Sequence, residues 1–303
     1  MATPRQVKLT ETNTASAPMP ALARLLNIQP LTTAHAREAL GFLASKRVDS
    51  IYMTGLIQDN GVESPFNRGT FYAARNAGGT LEGVALIGHA TLIEARTEEA
   101  LYAFARLARG NPHAHVIVGQ QEKIESFWGY YGKGGQRPRQ ICRELLFEQR
   151  QPTLALEPVP ELRLATLEDM PQIIPVNALM AEEESSVNPL EADADGFRAR
   201  LRRRIEQGRV WVWTRGPRLI FKVDVMAEAP GVVYLEGVFV HPLERGRGYG
   251  ARCLSQLGRQ FLTHERALCL LVNERNKDAQ VFFFKIGYKL RGCYDTIFLQ
   301  PEG

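Results

Sequence analysis

The strongest chemical signal in the chain is a glycine-rich turn within VYLEGVFVHPLERGRGYGARCLSQL, residues 233–257. A predicted strand ends at Val240, and Pro242 stops it. A predicted helix follows three alternating glycines: Gly246, Gly248 and Gly250. Glycine has no Cβ and tolerates positive φ, so successive N–H groups can converge on an anion at the positive end of the helix dipole. The turn is therefore predicted to bind phosphate.

Two arginines, Arg245 and Arg247, add positive charge to this turn, and their forked donors suit phosphate oxygens. A dinucleotide site is an alternative, because G-x-G-x-x-[G/A] is matched by Gly246, Gly248 and Ala251. Glu274 would then be the ribose-binding acid. Against this, HPLER separates Val240 from the first glycine, whereas a dinucleotide loop leaves its strand directly. A turn that binds nothing is the second alternative.

The segment resembles the loop of the GNAT acyltransferases, which take acetyl from acetyl-coenzyme A. That loop reads [Q/R]-x-x-G-x-[G/A] after a V-x-V-x-P strand, matched here by Val238, Val240, Pro242, Arg245, Gly248 and Gly250. The family's N-x-x-A-x-x-x-Y-x-K-x-G-[F/Y] segment is matched by Asn276, Ala279, Lys285, Gly287 and Tyr288. The resemblance covers residues 161–299 and extends to two-domain bacterial members, whose N-terminal half is a partner domain.

The resemblance implies a site for acetyl-coenzyme A. Its pyrophosphate would be held by the loop residues Arg245, Gly246, Arg247, Gly248, Tyr249, Gly250 and Ala251. Its pantetheine arm would lie along the preceding strand at Val238, Phe239 and Val240. Asn276 would hydrogen-bond the same arm, with Asn273 as a second candidate. Because Asn is a good N-cap, a purely structural role for Asn276 stays open.

The resemblance also implies transfer of acetyl to a primary amine by direct attack. Glu236 is the predicted general base, acting through water, although it could be an exposed strand carboxylate. A backbone N–H near Phe239 or Val240 would donate to the oxyanion. The family often places a tyrosine, as proton donor, where this chain has Phe283. Tyr294 is the predicted substitute, although such tyrosines often only pack.

An acidic run, Glu182, Glu183 and Glu184, lies where the resemblance places the acceptor pocket. Glu183 and Glu184 are predicted to attract the amine of a small molecule or peptide, and a solvated helix end is the alternative. The main prediction is an N-acetyltransferase. Because Phe283 cannot give a proton, a non-catalytic coenzyme-binding regulatory or scaffold module remains the second hypothesis.

Composition excludes several other classes of function. The chain has 303 residues, 45% of them hydrophobic and 23% charged, which predicts a soluble globular protein. A net charge of +4 is too small to imply a nucleic-acid partner, and the arginines of FRARLRRRIEQGR are interpreted as a solvated helix face. No metal site and no membrane span are expected. Scattered cysteines and no signal-like segment predict a reducing cytoplasm: Cys142, Cys253, Cys269 and Cys293.

The order of predicted elements indicates two halves of the α/β class with a mixed sheet, that is, tandem GNAT-like domains. Both halves open with a strand and a helix and close with a strand, a helix and a glycine. Pro152, Pro158 and Pro160 mark a linker between Phe147 and Leu162. The predicted division is a flexible leader over 1–20, a degenerate GNAT-like domain over 21–150 and an acetyltransferase domain over 151–303. The first half lacks the arginine and alternating glycines, so no pyrophosphate is expected at its corresponding turn.

Overall fold

The computed structural model describes residues 26–151, 156–262 and 266–300. The predicted leader over 1–20 and part of the predicted linker lie outside the described residues. The chain forms two compact units. The first unit consists of Met1–Phe42, Asn60–Arg143 and Tyr294–Gly303, and the second consists of Leu43–Asp59 and Glu144–Cys293. Segment 43–59 therefore groups with the second unit, which a division near residue 150 does not anticipate.

The mixed α/β fold is confirmed. The strands are β1 (Asn27–Pro30), β2 (Gly69–Arg75), β3 (Leu81–Gly88), β4 (Ala90–Ala95), β5 (Val116–Gln120), β6 (Pro138–Gln149), β7 (Arg163–Leu164), β8 (Val210–Arg215), β9 (Arg218–Ala229), β10 (Val232–Val240), β11 (Ala267–Asn273) and β12 (Lys289–Leu299). The helices are α1 (Ala36–Leu43), α2 (Ile51–Asn60), α3 (Glu98–Arg109), α4 (Gln121–Tyr131), α5 (Met170–Ser185), α6 (Pro189–Ala192), α7 (Ala194–Glu206), α8 (Tyr249–Phe261) and α9 (Lys277–Lys285).

In the first unit, β1 to β4 form an antiparallel meander. Strand β5 runs parallel to β4 and antiparallel to the last residues of β12. Helix α3 starts at Thr97, whose side chain accepts a hydrogen bond from the N–H of Ala100. It buries its apolar face in the core, where the ring of Phe104 lies so close to Gly83 that an added Cβ would be 2.7 Å away.

The second unit repeats this order of elements, as the tandem prediction requires. Strands β7 to β10 form antiparallel pairs, β11 runs parallel to β10, and β6 from Glu144 onward pairs with β11. Helix α8 crosses from β10 to β11 and buries Cys253, Leu254 and Leu257 in the core of this unit. Strands β8 and β9 are apolar on both faces, because one face packs with α8 and the other with α5 and α7.

Helix α2 packs in the second unit, and a close backbone approach and an ion pair help to position it. A Cβ built on Gly55 would lie 2.6 Å from the Cβ of Ala227 on β9, so only glycine allows this approach. At the end of the helix, both oxygens of Asp59 accept hydrogen bonds from the guanidinium of Arg209. This bidentate pair fixes the direction of α2.

Two helical glycines should respond oppositely to alanine. Gly55→Ala is expected to destabilise the protein by ~1–3 kcal/mol, because the new methyl overlaps Ala227. Gly41→Ala on α1 meets no atom within 4 Å and should stabilise by ~0.5–1 kcal/mol through helix propensity. Urea unfolding measures both changes, and adding Ala227→Gly to Gly55→Ala should recover stability. A Gly55→Ala protein as stable as the parent would refute this packing.

Candidate functional site

Two parallel strands of the second unit pair only briefly. Strands β10 and β11 are in register over Val232–Tyr234 and Ala267–Cys269, although β10 continues to Val240 and β11 to Asn273. Beyond this register the described part of β10 pairs with β9 alone. The two strands enclose a cavity of about 470 Å³. The cavity side of β10 therefore offers backbone groups to an extended ligand.

A β-bulge lies on β10 at this cavity. Glu236 is opposite Asp224 and Phe239 is opposite Lys222, so three steps along β10 match two along β9. Gly237 at the bulge has φ +60°, and a Cβ there would lie 2.7 Å from Nζ of Lys222. Glycine is thus required by both backbone conformation and space.

A buried charge cluster supports the bulge. Nζ of Lys222 and Nη1 of Arg204 each donate to Oδ2 of Asp224 at 2.9 Å. Lys222 and Asp224 are 1% and 2% exposed, and Oδ1 of Asp224 is buried with no hydrogen-bond partner among the described residues. This cluster was not predicted from the sequence, although the i, i+2 spacing in LIFKVDV places both side chains on one face of a strand. Arg204, predicted to lie on a solvated helix face, instead points inward to Asp224.

Carboxylates gather in the cavity, which is lined by Glu144, Glu183, Glu184 and Glu236. Water reaches Glu184 and Glu236 through the opening, while protein surrounds them on the other sides. Burial raises the pKa of Glu236; Asp224 adds to that rise, and Arg204 and Lys222 oppose it. Burial, together with the negative charges of Glu236 and Glu144, raises the pKa of Glu184 to about 8. Glu184 can therefore carry a proton at neutral pH.

A second tyrosine, not singled out from the sequence, lines the cavity. Tyr234 precedes Glu236 by two residues on β10 and therefore lies on the same face. Burial first, and then Glu236, raises the pKa of Tyr234 well above its ordinary value, so its hydroxyl keeps its proton. Phe283 is buried and lines the cavity, as its place in the motif implies. Tyr294 instead lies opposite Gln120 in the sheet of the first unit and is not among the lining residues.

Five residues, 241–245, separate the end of β10 from the first glycine of the loop. After a 3-10 turn over Pro242–Glu244, Gly246 has φ +76° and Gly248 has φ +77°, and Gly248 is the N-cap residue of the 13-residue helix α8. No backbone N–H from 246 to 251 donates a hydrogen bond to any residue that the structure describes. A Cβ on Gly246 or Gly248 would meet nothing within 4 Å, so the hollow is open. One on Gly250 would lie 3.0 Å from Val240, which makes this glycine a packing residue.

The loop arginines hold the loop together. Nε of Arg245 donates to the carbonyl oxygen of Val240 at 3.2 Å. Arg247 pairs with the buried carboxylate of Glu244 at 2.9 Å. Hydrogen bonds from Arg215 and then Arg247 lower the pKa of Tyr249. The arginine side chains therefore stabilise the loop conformation, while its N–H groups have no hydrogen-bond partner among the described residues.

Both predicted asparagines line the cavity. Oδ1 of Asn276 accepts the N–H of Ala279 at 3.0 Å and so caps α9, which is the structural role left open above. Oδ1 of Asn273 accepts the N–H of Arg275 at 2.9 Å. These bonds fix the two residues at the end of β11, where their backbone and side-chain groups border the cavity.

The described ranges contain no helix able to cross a membrane and no cluster of three or more His, Cys, Asp or Glu able to hold a metal ion.

Comparison with known proteins agrees with this architecture. Residues 222–297 match the family model described as FR47-like protein. An acetyltransferase of the GNAT family from Colwellia psychrerythraea is 10% identical, with a TM-score of 0.53 over 90% of this chain and 100% of that one. A tandem GNAT protein from the clavulanic acid biosynthesis pathway is 14% identical, with a TM-score of 0.55 over 92% and 100%. No curated protein matches the sequence.

A structural-genomics protein from Drosophila, 13% identical, gives a TM-score of 0.64 over 91% of this chain and 99% of that chain. Such similarities establish the fold. The chain has the GNAT fold, and its likeness to a tandem GNAT protein extends over both of its halves.

Glu184→Gln tests the electrostatics of the cavity. An acid whose pKa is raised from 4.5 to about 8 on folding stabilises the folded state fully below pH 4.5 and loses that contribution as the pH rises through 8. Glutamine cannot ionise, so the variant should match the parent in Tm at pH 4.5 and exceed it at pH 9. Scanning calorimetry measures the difference, with Glu182→Gln, outside the cavity, as the control. Parallel pH curves for parent and Glu184→Gln would contradict the cavity assignment.

Proposed function

We propose that the second unit transfers acetyl from acetyl-coenzyme A to a primary amine. The observation that carries the proposal is the loop after β10: its six amides from 246 to 251 have no partner among the described residues, and the space beside Gly246 and Gly248 is open. Amides at a helix N-terminus are a binding site for phosphate oxygens. The GNAT fold of the chain supports the same assignment.

The residues present fit the coenzyme at two places. The loop amides would hold its pyrophosphate, and the unpaired side of β10 at Val238, Phe239 and Val240 would hold the pantetheine arm by strand-like hydrogen bonds. Asn273 and Asn276 border the opposite wall. When bound, the coenzyme supplies the acetyl thioester.

The cavity residues supply the proton transfers. Glu236, acting through water, accepts a proton from the attacking amine, and its raised pKa makes it a stronger base than an ordinary carboxylate. The amine nitrogen forms the new C–N bond, a backbone N–H of the bulge near Phe239 or Val240 donates to the oxyanion, and the C–S bond breaks. Tyr234 donates its proton to the departing thiolate, in place of the hydroxyl that Phe283 lacks.

The acidic walls select the acceptor. Glu183 and Glu184 lie at the end of α5, opposite the strand that carries Glu236. A carboxylate such as Glu183, and Glu184 once it has lost its proton, attracts an ammonium group and leaves its deprotonation to the base. The acceptor class is therefore a primary amine of a small molecule or peptide.

A coenzyme-binding module without turnover is the second candidate, and Phe283 in the cavity favours it. Thiol release measured with a panel of amines separates the two. Amine-dependent thiol supports the transferase, whereas tight coenzyme binding without amine-dependent thiol supports the module.

Gly248→Asp should weaken coenzyme A binding by about a hundredfold, because a carboxylate would stand beside the pyrophosphate in the hollow. Isothermal titration calorimetry measures the loss. Gly248→Asn, nearly the same size but neutral, should lose less affinity. Gly216→Asp places the same residue at φ +58° in another open turn and should bind like the parent, which controls for backbone strain. Unchanged affinity of Gly248→Asp would remove the loop assignment.

Substitutions in the cavity should slow catalysis while sparing coenzyme binding. Glu236→Gln is expected to lower kcat by about 10²–10⁴-fold and to remove the acidic limb of the pH profile, which falls as Glu236 takes up a proton. Tyr234→Phe should also lower kcat, and adding Phe283→Tyr should restore part of it. Steady-state kinetics and calorimetry provide the readouts. If the Tyr234→Phe enzyme keeps the parental kcat, the thiolate is protonated by solvent and not by Tyr234.

A further inference from the structure

The first unit contains a cavity of about 540 Å³ outside the site proposed above. It opens where β2 begins, where β3 ends and where α3 ends. The turn that corresponds to the coenzyme loop, between β4 and α3, lies at the other end of these strands. The cavity is therefore not a remnant of a coenzyme site.

Close backbone contact between β2 and β3 shapes this cavity. A Cβ on Gly88 would lie 2.2 Å from the carbonyl oxygen of Arg68, and one on Gly69 would lie 2.8 Å from that of Ile87. Arg68 itself has φ +52°, a conformation that non-glycine residues seldom adopt. Two hydrogen bonds hold this conformation: the N–H of Arg68 donates to the carbonyl oxygen of Pro65, and the N–H of His89 donates to the carbonyl oxygen of Arg68. The fold thus fixes an arginine at the rim of the cavity.

The polar lining carries the fixed positive charge of Arg68. Nη2 of Arg68 lies 3.1 Å from Nδ1 of His89. Arginine only donates, so Nδ1 of His89 accepts and the proton of this imidazole is on Nε2. The lining also includes His113 and Asn111, and none of the described residues that line the cavity is an aspartate or a glutamate.

A further positive charge, that of Arg139, lies near this wall. The ring of His89 stacks on that of His115, with centroids 4.9 Å apart. Burial lowers the pKa of His115, and the charges of Arg139 and Arg68 lower it further. Nε and Nη2 of Arg139 are buried and have no hydrogen-bond partner among the described residues. An anion in the cavity would offset this concentration of charge.

We infer that this cavity binds a small molecule that joins one anionic group, a phosphate or a carboxylate, to an apolar body. Arg68, His89 and His113 supply donors for the anion. Tyr72, Ile87 and Leu107 supply an apolar wall for the rest of the molecule. The inference is independent of the acetyltransferase proposal, because every residue that it uses belongs to the first unit.

Calorimetry on the full chain tests the site with phenyl phosphate, benzoate and neutral benzyl alcohol. The anionic probes should bind saturably and benzyl alcohol should not; the stronger of the two anions identifies the preferred group. Arg68→Gln should weaken binding at least tenfold. Arg37→Gln, an exposed arginine on α1, should bind like the parent. In Gly248→Asp, binding that depends on Arg68 should persist; its loss in that variant would place the anion at the glycine loop and overturn the inference.

Histidine ring resonances give a readout that needs no Arg68 variant. In the parent protein, addition of phenyl phosphate should shift the signals of His89 and His113, with His113→Gln identifying its own signal. Benzyl alcohol at the same concentration should leave them unchanged. Histidine signals that do not respond to phenyl phosphate would also overturn the inference.

Discussion

The candidate site depends on the early end of pairing between two parallel strands. A strand interior normally satisfies its backbone groups on both sides, yet the described part of β10 keeps only β9 as a partner after Tyr234. Because β11 continues to Asn273 without β10, the sheet opens into a cavity instead of closing. The same strand leads, through residues 241–245, to the glycine loop, whose amides at 246–251 have no partner among the described residues.

Buried charged side chains of the second unit lie beside the cavity between β10 and β11. Burying Lys222, Asp224 and Arg204 carries a desolvation penalty, which their shared hydrogen bonds to one carboxylate offset only in part. The cluster supports the bulge at Gly237 and sets the electrostatic surroundings of Glu236. In turn, Glu236 raises the pKa of Glu184. The catalytic proposal thus rests on residues whose protonation is set by neighbours, not by their own chemical type.

Local patterns predicted much of this structure. The strand end predicted at Val240 agrees with the end of β10, because apolar runs and turn residues act over short distances. The loop after β10 was predicted for the same reason. Contacts between distant segments could not be predicted from the sequence. The packing of Gly55 on Ala227 and the ion pair of Asp59 with Arg209 leave no pattern in the neighbouring residues. The chosen proton donor shows the same limit, since Tyr294 lies in the sheet of the first unit and Tyr234 lines the cavity.

Amide hydrogen exchange over residues 246–251 tests the central claim most directly, because exchange reports whether each N–H has a hydrogen-bond partner. The account predicts rapid exchange of these amides in the free protein and strong protection when coenzyme A is added. Amides that are already protected without coenzyme, or that exchange equally fast with it, would contradict the assignment of this loop as the pyrophosphate site.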